Sequence, residues 1–196
     1  ARGVGFKGEY CTTMFNKARD IILDFFCVLD NDDYTVIYTK SDTEGLNALA
    51  NVLIQDKDDM VLTTRMEHHA NDLPFRRVAK MVYVEVDVLG RINIDDIEEE
   101  LIKANGKIKV VTITGASNVT GYITPIHDIA RLAHKYGAVI IVDGAQLIAH
   151  REVNLAGNSK DEEIDFLTFS AHKAYAPFGS GAIVGKKDYL NEEDPF

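Results

Sequence analysis

Cysteine is scarce in this sequence: Cys11 and Cys27 are the only two, and no Cys-x-x-Cys occurs. That argues against a disulfide framework or a cysteine-rich zinc site and fits a reducing, cytoplasmic compartment. Long apolar runs are also missing. None approaches the roughly 18 residues that signal a membrane span, and no stretch reads as a signal peptide. Positive charge is in deficit, with 21 Lys and Arg against 31 Asp and Glu and a net charge of -10. A nucleic-acid binder or an anionic-membrane binder carries a basic footprint, so neither class fits. A local site for a small anionic ligand remains compatible with that balance. There is no internal repeat, low-complexity linker or composition break. No Walker phosphate loop occurs. In residues 179–185 the glycines precede a strand instead of following one into a helix, which excludes a dinucleotide loop.

What is present is an ordinary globular chain. Its 196 residues are 46% hydrophobic and 27% charged, enough for one core. Residues 1–13 read as irregular. Residues 14–29 form a helix, with Phe15, Ala18, Ile22, Phe25, Phe26 and Leu29 at helical spacing and Cys27 among the core positions. Residues 34–38 read as a strand. Ser41 or Asp42 caps a helix that runs to about Ile54. Strands follow at 60–64 and 81–86, with a short helix between them from Asn71 or Leu73 to Ala79. A helix over 94–104 is capped by Asn93 or Asp95. A strand at 108–112, a polar loop at 115–121 and a helix at 125–136 with proline in its first turn come next. Strands at 138–142, 166–169 and 182–184 complete the chain. Alternation of strands and helices predicts one α/β domain, a three-layer arrangement with a mostly parallel sheet covered by helices.

Two strand ends carry the chemistry. Strand 166–169 runs out into Ser170, Ala171, His172 and Lys173, and strand 138–142 ends in Asp143, Gly144, Ala145 and Gln146. Open α/β sheets bind ligands beyond the carboxyl ends of their strands. An amine and a carboxylate placed there match a pyridoxal phosphate site, with the lysine holding the aldehyde as a Schiff base and the aspartate pairing with the pyridine nitrogen. Each residue also has a plainer reading: Lys173 as an exposed loop lysine, Asp143 as a helix N-cap, Gln146 as a solvated helix residue. Ser170 and His172 add phosphate donors beside the lysine. Thr43 opens a helix whose free N–H groups attract phosphate, a role compatible with capping. Asn118 either contacts a ring oxygen or shapes its turn. His68 either stacks on a cofactor ring or lies on the surface. Glu67, His68 and His69 lack the spacing of a metal site, so no metal is expected. His127, His134 and His150 read as residues of solvated faces.

Four segments, in order, resemble signatures of the class V aminotransferase family, in particular its cysteine desulfurase and selenocysteine lyase branch. They are residues 67–71 (Glu-His-His-Ala-Asn), 114–121 (Thr-Gly-Ala-Ser-Asn-Val-Thr-Gly), 142–146 (Val-Asp-Gly-Ala-Gln) and 169–173 (Phe-Ser-Ala-His-Lys). The resemblance implies the large domain of the fold type I pyridoxal phosphate enzymes. It also implies Lys173 as cofactor anchor and α-carbon proton shuttle, and His68 as the stacking, catalytic histidine. Asp143 would hold the pyridine nitrogen, and Asn118 and Gln146 the ring hydroxyl side. Thr43, Ser170 and His172 would hold the phosphate.

The implied activity is desulfuration of cysteine or a close analogue. The alternatives are another class V reaction, such as epimerisation or Cβ cleavage, or a cofactor-binding fragment without turnover. The implied partners are an amino-acid substrate, a second copy in a homodimer and a sulfur-acceptor protein. Two departures stand out. The family's Gly-Thr-Thr or Gly-Ala-Thr turn reads Ser41-Asp42-Thr43 here, which brings a carboxylate near the phosphate. The family also continues beyond this C-terminus into a small domain that carries the substrate-gripping arginine and, in desulfurases, the nucleophilic cysteine. The resemblance therefore implies that an N-terminal segment and a C-terminal domain are missing.

Overall fold

The computed structural model describes residues 4–190. Helix α1 (Gly5–Phe25) leads into strand β1 (Tyr34–Thr39) and helix α2 (Asp42–Leu53). Strand β2 (Met60–Thr64), the short helix α3 (Leu73–Arg76) and strand β3 (Lys80–Val84) follow. Helix α4 (Ile94–Ala104), strand β4 (Ile108–Thr114), helix α5 (Ile126–Lys135) and strand β5 (Val139–Asp143) alternate next. Strands β6 (Phe166–Ser170) and β7 (Gly181–Lys186) close the sheet.

The seven strands lie in the order β1-β7-β6-β5-β4-β2-β3. The pairs β6–β5, β5–β4, β4–β2 and β2–β3 are parallel, and only β7 runs against its neighbours. The expected three-layer, mostly parallel sheet is what the chain adopts. Its direction of growth reverses between β2 and β4, since β3 lies outside β2 while β4 and the later strands extend the other way. Such a reversal opens a crevice beyond the strand ends.

The period of two along each strand sorts the core onto two faces. Ile140 and Val142 pack on one face with Ile97 and Leu101 of α4 and Ile129, Ala130 and Ala133 of α5. Ile141, between them, packs on the other face with Leu46 and Leu49 of α2 and Phe75 of α3. Burying each of these side chains contributes about 1.5–3 kcal/mol. Helix α5 forms because Ile126, Ile129, Ala130 and Ala133 recur on one stripe, and it stops where Gly137 takes a left-handed φ of 75°.

Three expectations need correction. Helix α1 begins at Gly5, nine residues earlier than the apolar spacing predicts, and it buries none of its residues fully. Little apolar spacing marks a turn that packs against nothing. Cys27 is not core: it lies beyond α1, exposed, with a left-handed φ of 60°. Nor is His134 a solvated residue. Its Nε2 meets Asp165 Oδ2 at 2.9 Å and its Nδ1 the Asp161 carbonyl, while His127 Nδ1 meets the Glu162 carbonyl at 2.8 Å. A helix face that packs on a loop, here 160–165, looks solvated in one-dimensional spacing.

Candidate functional site

A cavity of about 260 Å³ opens at the carboxyl ends of the parallel strands. Five segments wall it. The start of α2 supplies Ser41, Asp42 and Thr43; the turn after β2 supplies His68; the end of β4 and its loop supply Thr114 and Asn118. The end of β5 supplies Asp143 and Gln146, and the end of β6 supplies Ser170, His172 and Lys173. All eight residues singled out in the sequence therefore line one cavity, although Thr43 and its last member, Lys173, lie 130 positions apart in the sequence.

Local chemistry decides how each is held. Ser41 is the cap of α2, accepting from the Glu44 N–H at 3.2 Å, which leaves the Thr43 side chain exposed toward the cavity. Asp143 Oδ1 accepts from the Ala145 N–H at 2.9 Å, an Asx turn that folds β5 over into Gln146. The turn at 117–120 belongs to Ser117, whose hydroxyl accepts from the N–H groups of Val119 and Thr120, so Asn118 is not needed to form it. His68 Nδ1 accepts from the Ala70 N–H at 3.1 Å, which sets the ring's orientation and places the proton of the neutral imidazole on Nε2. His172 stacks on Phe178 with ring centroids 4.9 Å apart. Lys173 is exposed at the rim, and its amine has no hydrogen bond or ion pair among the described residues.

The site is rich in acid. Burial pushes up both Asp143 and Asp42, Asp42 to about 7, with the charge of Asp143 adding to the rise at Asp42. The Lys173 cation opposes the shift in both. Below the cavity, burial raises Glu67 to about 8 despite hydrogen bonds from the Thr64 hydroxyl at 2.6 Å and the Asn71 amide at 2.7 Å. The Thr112 hydroxyl in turn reaches Asn71 Oδ1 inside the sheet. The sequence pattern gives Glu67 and Thr114 no site role beyond their places in two of the family signatures, and it does not single out Thr168 or Phe178. Only the strand period, which puts Thr168 and Ser170 on one face, pointed to any of them.

The donor set suits a phosphorylated pyridine aldehyde. His172 Nδ1 is buried without a hydrogen-bond partner, an unusual cost for a ring nitrogen that an anion would relieve. It shares the cavity wall with the hydroxyls of Thr43 and Ser170, while Asp143 and Lys173 supply an acid and a free amine.

The model of the family described as Aminotransferase class-V matches residues 1–196. A probable cysteine desulfurase of Halalkalibacterium halodurans is 34% identical over 99% of this chain and 48% of that protein. A cysteine desulfurase of Haloferax volcanii is 32% identical over 100% of this chain and 46% of that protein. Among solved structures, the apo cysteine desulfurase of Thermococcus onnurineus NA1 superposes with a TM-score of 0.86 at 30% identity, over 99% of this chain and 48% of that one. The chain spans about half the length of the curated relatives it matches. A family match over every residue, on a sheet whose strand ends gather the same signatures around one cavity, makes this chain a member of the class V aminotransferase family.

Proposed function

We propose that this chain forms the cofactor-binding part of a pyridoxal phosphate enzyme acting on cysteine or a close analogue, and that the whole protein is a cysteine desulfurase. The observation that carries this reading is the meeting of Lys173 and Asp143 on one cavity at the carboxyl ends of the parallel strands. When bound, the cofactor supplies an aldehyde that captures amines and a protonated ring that takes up negative charge from the substrate α-carbon.

The chain's residues divide the remaining work. The Lys173 amine anchors the cofactor at rest and, once released, takes and returns the proton at the substrate α-carbon. Asp143 offers a carboxylate to the ring nitrogen, and a cation there favours its charged form against the desolvation that otherwise raises it. His68, oriented through its Nδ1, covers the ring face. Asn118 and Gln146 donate to the ring hydroxyl side, and Thr43, Ser170 and His172 hold the phosphate. A sulfur-acceptor protein, a second copy in a homodimer and a cytoplasmic setting belong to the same proposal.

One observation favours a second reading. Cys11 lies on α1 and Cys27 just beyond it, and neither lines the cavity. Sulfur transfer needs a thiol at the substrate, so without a further segment this chain would bind cofactor without turnover or share a class V reaction that needs no thiol.

Borohydride reduction in the presence of pyridoxal phosphate, followed by peptide mapping, tests the anchor. The expected result is one cofactor mass on Lys173. Labelling confined to other lysines, or to none, overturns the reading.

A further inference from the structure

Asp42 occupies the family turn at a position that resemblance assigns to an uncharged residue, and it is buried at 5% exposure. It is tied twice to β6. Its N–H donates to Ser170 Oγ at 2.8 Å, and its carboxyl accepts from the Thr168 hydroxyl. Thr168 and Ser170, two apart, share the face of β6 that α2 covers. Two glycines permit the close seat. A Cβ on Gly181 would fall 3.0 Å from the Ser41 backbone and 2.5 Å from the Phe169 carbonyl oxygen. A Cβ on Gly45 would fall 3.2 Å from Thr168 and 3.1 Å from Ile183. The first turn of α2, with Thr43 on it, therefore rests directly on the strand that ends in Ser170.

The geometry points to Asp42 as a proton-carrying positioning residue: its N–H and carboxyl seat α2 on β6, its neutral form admits a phosphate at Thr43, Ser170 and His172, and its ionisation weakens that binding. This rests on the cofactor reading above. Around Asp42, burial and the charge of Asp143 outweigh the Thr168 hydroxyl and Lys173, which favour its charged form. Asp143 from β5 and Lys173 from the turn after β6 act on its charge, and His68 and His172 line the same cavity. Glu44, on its own turn, bonds the Lys40 N–H instead. Lys173 is the one lysine among these groups, and it acts on Asp143 as well. Burial raises Asp42 to about 7, so the carboxyl is neutral below that pH and charged above it.

The test is the affinity of the chain for pyridoxal phosphate, and for pyridoxal as the phosphate-free probe, titrated optically between pH 6 and pH 8.5. The wild type is compared with Asp42→Asn and with Asp42→Thr, which restores a neutral hydroxyl. The Lys173 amine is common to all three, so the difference between them isolates Asp42. Above pH 7 the wild type should lose pyridoxal phosphate affinity relative to both variants, by up to about tenfold per pH unit. Pyridoxal should show no such difference. Parallel pH profiles for the three proteins, or an equal difference with pyridoxal, would overturn the role of Asp42. Failure of all three to bind pyridoxal phosphate at any pH would instead refute the cofactor reading and this inference with it.

Discussion

Asp165, just before β6, and Asp143 and Asp42, around the far end of that strand, are comparably buried at 1%, 3% and 5% exposure, yet their charges meet opposite conditions. At the amino end, Asp165 Oδ2 accepts from His134 Nε2 and from the Ile140 N–H, each at 2.9 Å, and Oδ1 faces Lys186 Nζ at 3.0 Å. Burial alone would raise Asp165, but these partners hold it below the usual carboxylate range. At the carboxyl end, Asp42, Asp143 and Glu67 are all pushed up by burial, and among the described residues no ion pair closes on any of them. One end of the sheet satisfies its acids internally. The other keeps them poised for groups that the chain itself does not supply, the condition expected where a ligand completes the electrostatics.

The largest effect should follow from breaking the satisfied end. Asp165→Ala leaves Lys186 with Glu163 alone and strands His134 and the Ile140 N–H, and should cost about 3 kcal/mol in urea unfolding. A loss below 1 kcal/mol would erase the contrast. Asp143→Asn should go the other way. A raised acid destabilises the fold as pH climbs above its unfolded value, so removing the charge should raise stability at pH 8 while weakening cofactor binding. A loss of stability like that of Asp165→Ala would contradict the account. His134→Gln gives the smallest effect and the sharpest pH signature. The Asp165 hydrogen bond raises His134, so its contribution is complete below its unfolded value of about 6.5 and fades as pH rises through the higher folded value. Thermal melts of the two proteins should converge at high pH, and a constant gap would count against the charged pair.

Most of the sheet was legible because its strands are short apolar runs bounded by turns, and α4 was read at its observed bounds, with Asn93, one of the two residues read as its cap, in that place. The candidate site was legible as strand ends, since Ser170, Lys173 and Asp143 each follow an apolar run directly. What spacing did not show depends on long-range contact. Helix α1 extends to Gly5 without a buried stripe to announce it. The His134 partner lies 31 residues away, and the Thr168 hydroxyl that holds Asp42 lies 126 away. The conversion of Asp42 from an apparent cap into a buried acid could not be seen until α2 was set on β6.

The central claim is that the carboxyl end of the sheet is a cofactor site anchored by Lys173. The most direct measurement is the visible absorption of this chain with pyridoxal phosphate, beside Lys173→Ala. A new band in the wild type that is absent from Lys173→Ala is the predicted result. The same band in both proteins, or in neither, would contradict the claim.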